Sequence, residues 1–263
     1  MRSGSGVFLS LTYWAFVVYL FVPLALMVTM GFKDSAFIGF PIQNWTMRWY
    51  TGVFQDGEVL GVFAYSLAIA LSSTFFSLVI GTWIASFLGP TTFRGKLLVF
   101  GLACLPAVVP GIISAISLRI FVQFLAIEPG MAAIVLGHTV HNVPFVMLVV
   151  MARLSTQPRS HVEAARDLGA DALTAFARVT LPYLKPALIG AAVFCMLLSF
   201  DDFVRSFFLG GYEPTLPVLI FAMLRSGMSP EINAIATVVL ILTAILGLWA
   251  EKSMRTSERK TAA

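Results

Sequence analysis

Residues 161–182 read HVEAARDLGADALTAFARVTLP. This charged, alanine-rich stretch lies between two apolar blocks, 132–152 and 186–209. Its punctuation is regular. Ser160 and Glu163 have the spacing of a capping box, in which the hydroxyl satisfies an amide at N3 and the carboxylate reaches back to the cap. Ala164, Ala165 and Leu168 continue a helix, and Gly169 supplies the left-handed residue that ends it. Asp171 caps a second helix running to about Val179, and Pro182 marks the next boundary. The stretch predicts two short helices with a tight bend between them. Such a unit is too small to bury a core of its own. The small side chains of its first helix let another surface approach closely, so docking onto another protein is the expected use.

The rest of the 263-residue chain is apolar. Hydrophobic residues make up 59% and charged residues 11%, with a mean hydropathy of +0.90. Soluble domains carry about 25% charge, so this chain cannot cover a globule with polar surface. The class is all-α integral membrane protein. Six apolar segments, near 7–31, 60–88, 97–122, 132–152, 186–209 and 232–250, are long enough to cross a hydrocarbon core, which takes about 20 helical residues. The first is too long for the apolar core of a signal peptide and has no small-x-small cleavage site after it, so it is expected to stay as an anchor. Cys104 and Cys195 both lie in apolar runs as small core residues, with no metal or disulfide pattern.

Charge sets the expected direction. With the N-terminus cytoplasmic, Arg2, Arg94, Lys96, Arg153, Arg159, Arg166, Arg178, Lys185, Lys252, Arg255, Arg259 and Lys260 lie inside, and Lys33, Arg48 and Arg225 lie in outside loops. That bias follows the positive-inside rule. Both termini and the 161–182 hairpin are then cytoplasmic. The chain is expected to be one transmembrane domain over 1–263, with its cytoplasmic loop at about 153–185. Pro106, Pro110 and Gly111 in the third span, and Gly137 and Pro144 in the fourth, are tolerated only where freed carbonyls find partners or line a cavity.

The hairpin carries a resemblance. Glu163-Ala164-Ala165, three residues, Gly169, nine residues, then Val179-Thr180-Leu181-Pro182 resembles the EAA loop of ATP-binding-cassette importer permeases, with Val179 where the family usually has isoleucine. The loop precedes the penultimate span, as in that family, and the six-span plan extends the likeness over essentially the whole chain. The resemblance implies a type I importer permease (MetI-like) fold in a bacterial inner membrane. It implies a second, homologous permease subunit, two copies of an ATPase subunit, and a periplasmic or lipid-anchored solute-binding protein. Glu163, Ala164, Ala165, Gly169, Leu181 and Pro182 would form the coupling element that docks on the ATPase, Glu163 pairing with a basic group there. ATP and magnesium would reside on that partner, with no cofactor on this chain. The chain itself has no phosphate-cradling loop: Gly95-Lys96 is followed by Leu97 and lacks the upstream glycine.

An acidic pair, Asp201-Asp202, interrupts the fifth apolar segment, and Asp201 would lie about 22 Å along a continuous helix from its cytoplasmic start. Ionised groups at that depth are costly unless paired or wetted. Arg205 is in helical reach of either aspartate and neutralises only one, so at least one carboxylate is expected to face a polar pathway or a partner chain. Phe200, Phe203 and Trp14 can offer π faces to an ammonium group. The stretches SFDDF, LGGYEPTLPVLIFAMLRSG and SPEINAIATVVL resemble the C-terminal third of spermidine/putrescine-type permeases, as do NWTMRWYTGVF and GHTVHNVPFVMLVVMARL earlier. That implies ATP-driven alternating access for a polyamine, with Asp201, Asp202, Tyr65 and Phe200 as candidate pathway residues. Another small solute, such as an amino-acid-like or opine compound or ferric iron, is the alternative. A secondary transporter would have no use for the hairpin, and an intramembrane hydrolase lacks its G-x-S-x-G. His138 and His141, three apart, share a face suited to helix–helix hydrogen bonding.

Overall fold

The computed structural model describes residues 3–35, 39, 41–227 and 229–261, with side chains outside 3–6 and 254–261. Arg2 and the side chains of Arg255, Arg259 and Lys260 fall outside the described residues. The helices are α1 Ser3–Met30, α2 Arg48–Gln55, α3 Gly57–Leu88, α4 Lys96–Val108, α5 Gly111–Phe124, α6 Met131–Ser155, α7 Arg159–Asp167, α8 Ala172–Ala175, α9 Leu181–Phe200, α10 Phe203–Leu209, α11 Leu216–Ser226 and α12 Pro230–Thr261. Among the described residues, five helical stretches are long and apolar enough to cross a membrane: Val7–Met30, α3, α6, Ala172–Phe200 and Pro230–Ser253. The sixth expected span is a bent pair, α4 and α5, at 106°.

That bend replaces the single third span read from the sequence. Pro110 has no N–H to donate, and it pushes the residue before it out of the helical region. Val109 accordingly has φ −67° and ψ 131°, and α4 stops. The fifth span departs from expectation in the same way: α9 ends at Phe200, and α10 restarts at Phe203 with Asp202 as its cap. Pro182, expected as a boundary, is absorbed instead. A π-turn over Phe176–Thr180, closed by the Leu181 amide on the Phe176 carbonyl, slips the register by one residue, so helix runs on into α9 with Pro182 in its first turn. Pro144 lies inside an unbroken α6.

The chain forms two compact units. One comprises 1–61 and 220–242, the other 62–219 and 243–263. In the first, Lys33 and Trp45 form an isolated antiparallel bridge, and the Trp49 indole donates to the Lys33 carbonyl at 2.8 Å. Tyr50 donates to the Val28 carbonyl at 3.2 Å and stacks near Phe32, with ring centroids 4.6 Å apart. These contacts fix the turn after α1. Most of α1 itself is exposed and apolar, Trp14 and Tyr19 being 61% and 74% exposed.

The second unit is built around α6. Ala85 and Leu88 of α3, Val146, Met147 and Val150 of α6, and Leu184, Ala191 and Cys195 of α9 form one buried cluster. Ile69, Val122, Ala133, Ile134 and Leu209 form another across α3, α5, α6 and α10. Small residues let membrane helices pack this closely. A Cβ on Gly81 would lie 2.6 Å from Val146 Cβ and 3.1 Å from the Val143 carbonyl, which is backbone and cannot yield. Gly81→Leu is therefore expected to cost about 1–3 kcal/mol by overpacking. A detergent melting curve measures it, and an unchanged midpoint would refute the close α3–α6 contact.

Candidate functional site: a helical hairpin and a buried polar cluster

The hairpin is formed by α7 and α8. Its bend is a Schellman closure: the Ala170 amide donates to the Ala165 carbonyl at 3.0 Å and the Gly169 amide to the Arg166 carbonyl at 2.9 Å. Gly169 has φ +88°, the left-handed conformation that this closure requires and that glycine adopts without strain. Asp171 caps α8, accepting from the Thr174 amide at 2.8 Å. Hydrogen bonds from the Thr174 side chain and amide hold its carboxyl below the usual carboxylate range.

The capping box does not form. Pro158 is the cap residue and makes no side-chain cap bond; with its φ of −62° it starts α7 at Arg159 and leaves Ser160 inside the helix. Glu163 is thereby free of capping duty. It is exposed, as are Ala164, Gly169, Leu181 and Pro182, while Ala165 is half-buried. Glu163 borders a cavity of about 760 Å³ that is also lined by Ser86, Leu154, Gln157, Arg159, Arg166 and Phe176. At the tip, Leu168 is 90% and Leu173 75% exposed. The sequence reading took Leu168 only as a residue that continues the first helix and did not single out Leu173.

The roots of the hairpin are tied together. Arg153, near the end of α6, stacks on the Tyr183 ring of α9 at 4.2 Å. Its Nε donates to the Tyr183 carbonyl at 3.3 Å, and the Tyr183 and Thr156 hydroxyls are 3.0 Å apart. These contacts join the end of α6 to the start of α9 on either side of the hairpin.

The second site surrounds the α9–α10 step. Asp202 is occupied twice: Oδ1 accepts from the Arg205 amide at 2.9 Å and Oδ2 pairs with Arg205 Nη1 at 2.7 Å. Arg205 Nη2 lies 3.0 Å from His141 Nδ1. His138 Nδ1 lies 2.7 Å from the Ser199 hydroxyl, which is 2.8 Å from Ser73 Oγ, and His138 Nε2 lies 3.3 Å from Ser206 Oγ. Asn142 donates to the Cys195 carbonyl at 3.2 Å. Both histidines thus serve helix–helix hydrogen bonding. Burial makes the cluster consequential, since polar groups away from water need partners.

The two aspartates separate here. Asp201 is exposed and makes no side-chain hydrogen bond or ion pair among the described residues, whereas Asp202 is committed to Arg205. Phe200 is half-buried and packs edge-on against Phe63, with centroids 5.4 Å apart. Tyr65 is half-buried against the cluster containing Ile69 and Val122, and no hydrogen bond joins it to Asp201 among the described residues. Ser66 accepts from the Leu216 amide at 2.7 Å and so anchors the start of α11. The role of Ser199 and Ser206 as bridges to His138 had no sequence signal, because serine is common in membrane helices and the pairing spans distant segments.

Comparison with known proteins places this geometry. Residues 77–262 match the family model described as binding-protein-dependent transport system inner membrane component. The spermidine/putrescine transport system permease protein PotC of Escherichia coli K12 is 35% identical over 234 residues, which is 88% of each chain. The putrescine transport system permease protein PotI of the same strain is 33% identical over 250 residues, covering 92% of this chain and 89% of PotI. Among solved structures, a bacterial ABC transporter involved in import of the acidic polysaccharide alginate matches with a TM-score of 0.75 at 17% identity, covering 96% of this chain and 98% of that one. The MetNI methionine ABC transporter matches at TM-score 0.65 and 22% identity, covering 76% and 95%. The two structural likenesses speak for the fold, and the sequence matches carry the family: the chain belongs to the binding-protein-dependent transport system inner membrane components, as a permease subunit that moves a small solute and leaves ATP hydrolysis to a separate subunit.

Proposed function

We propose that this chain is one permease half of an ABC importer for a polyamine, working by ATP-driven alternating access. The two units act as one permease domain over 1–263. Both termini and the α7–α8 hairpin face the cytoplasm, as the arginine and lysine distribution supports. The hairpin docks on an ATPase through Glu163, Ala164, Ala165 and Gly169, with Leu181 and Pro182 at its exit. Two such ATPases hold ATP and magnesium. A second, homologous permease completes the pathway, and the exposed apolar length of α1 suits a partner helix or lipid. A periplasmic or lipid-anchored binding protein delivers the solute.

The observation that carries the substrate class is Asp201, exposed and unpaired among the described residues, next in sequence to Phe200 of the Phe200–Phe63 pair. A carboxylate and aromatic faces together suit an ammonium group. Likeness to PotC over 88% of both chains points the same way. Asp201, Phe200 and Tyr65 are the pathway candidates, and Asp202 supports them from behind through Arg205.

The test is uptake by the complete complex in proteoliposomes with a panel of solutes. Putrescine or spermidine is expected to stimulate ATP hydrolysis and to accumulate. No response to either removes the polyamine assignment. In the same assay Asp201→Asn is expected to lower uptake about tenfold, the order of one charge-assisted contact, at unchanged complex yield. Uptake and yield falling together would make Asp201 structural.

A further inference from the structure

The α9–α10 step is bracketed by two buried serines that meet the same side chain. Ser199 lies one residue before the end of α9, and Ser206 lies in the middle of α10. His138 of α6 sits between them, with Nδ1 2.7 Å from Ser199 Oγ and Nε2 3.3 Å from Ser206 Oγ. Ser199 Oγ is in turn 2.8 Å from Ser73 Oγ of α3, and Ser73 donates to the Ala70 carbonyl at 3.2 Å. All four side chains are buried, none more than 4% exposed. A hydroxyl has one proton, and a neutral imidazole has one donor and one acceptor. With the Ser73 proton on the Ala70 carbonyl, Ser199 donates to Ser73, Nδ1–H donates to Ser199, and Ser206 donates to Nε2. The network so assigns the ring tautomer. Asp202 Oδ2 stands 4.0 Å from Nε2, beyond a hydrogen bond, and is held by Arg205. A Cβ on Gly137, the residue before His138, would run into Leu209, so α10 lies against α6 at this level.

We propose that His138 is a positioning residue: one imidazole, tied to both sides of the break, fixes the step at which Asp201 is presented to the solute. This rests on the pathway reading of Asp201 above. Asp201 has no side-chain hydrogen bond or ion pair of its own among the described residues, so its carboxylate goes where the link between Phe200 and Phe203 carries it. That link holds itself weakly, the Asp202 amide reaching the Ser199 carbonyl only at 3.4 Å. The Asp202–Arg205 pair closes within the start of α10, and the Arg205–His141 contact ties α10 to α6; neither reaches back to α9. Ser199 and Ser206 span the break through His138, and Ser73 extends the tie to α3. Loss of the ring would bury the Ser206 hydroxyl without its partner. It would also leave the end of α9 with no side-chain hydrogen-bond route to α10 among the described residues.

The test compares His138→Leu with His138→Gln. Glutamine carries a donor and an acceptor on one amide and can serve both serines; leucine can serve neither. In the reconstituted complex, with putrescine or spermidine as solute, His138→Leu is expected to lower the maximal uptake rate about tenfold at unchanged complex yield. His138→Gln should restore most of the rate. The effect should pass through Asp201: in an Asp201→Asn background the leucine substitution is expected to cost less than about twofold. Ser206→Ala removes one arm of the tie and is expected to cost about threefold, again only where Asp201 is present; it decides the matter if the leucine variant does not assemble. Equal losses in both backgrounds, a rate that falls in step with yield, or variants that transport like the parent overturn the proposal. A second measurement needs no solute. Amide hydrogen exchange over residues 200–206 of the intact complex is expected to run about tenfold faster in His138→Leu, with α3 and α12 unchanged and His138→Gln close to the parent. Parental exchange in the leucine variant, or faster exchange throughout the chain, refutes the brace. If the parental complex moves no polyamine, the substrate reading fails, while the exchange rates still decide whether His138 holds the step.

Discussion

Arg205→Leu is expected to lose about 3–5 kcal/mol of stability, the cost of leaving a buried carboxylate without its partner. The pair is close, at 2.7 Å, and Arg205 is 5% exposed. Arg205 also donates to His141, so that contact goes too. The hydrogen bond from the residue-205 backbone N–H to Asp202 Oδ1 does not use the arginine side chain and remains, so α10 should stay helical while the step it begins loosens. The double variant Arg205→Leu/Asp202→Leu is expected to recover much of the loss. Removing both charges leaves no buried charge unpaired, and the residual deficit is the lost helix cap, about 1 kcal/mol, together with the lost contact to His141. A double-mutant cycle from melting curves in detergent measures the coupling. Additive losses in that cycle would mean that the pair is screened and not a structural clasp. Asp201→Asn should leave the same melting curve almost unmoved, which sets the two neighbouring carboxylates apart.

The second large effect concerns force transfer. Glu163→Ala is expected to weaken docking of the ATPase by about 2 kcal/mol or more, a loss of roughly thirtyfold in affinity, as for one partner of an interfacial charge pair. Membrane-domain folding should be untouched, since Glu163 is exposed and α7 has no side-chain cap to lose. Uptake and solute-stimulated ATP hydrolysis should fall together. Co-purification of the ATPase with the parental and variant permease reads the docking directly, and full retention with full transport would assign Glu163 no role in coupling. Leu168 and Leu173 are exposed at the hairpin tip and are expected to supply the apolar part of the same contact. The Arg153–Tyr183 clamp then explains how a push at the tip can reach the α9–α10 step: α9 carries both ends of that route.

Local chemistry was legible where neighbours in sequence decide it. Gly169 and Asp171 fold as read because their closures use amides within five residues. Ser160–Glu163 misled because Pro158, just outside the pattern, set the helix start. Pro182 misled because a register slip, invisible in a residue alphabet, removed its penalty. Pro110 and the Asp201–Asp202 pair announced disturbance, but a proline predicts a freed carbonyl without saying whether the helix kinks or turns through 106°. The choice between Asp201 and Asp202 was symmetrical on paper, since Arg205 is in helical reach of both. The restart of the helix at Phe203 turned one into a cap and left the other exposed.

By itself the sequence determined the membrane class, five of the spans and the hairpin, because each depends on composition or on contacts a few residues long. Only the tertiary structure decided which carboxylate is spoken for and where the third and fifth spans break. It alone showed that His141 meets the guanidinium of Arg205 on α10. Those outcomes depend on groups brought together from distant segments, where the free energy of satisfying a buried donor or acceptor outweighs any local preference.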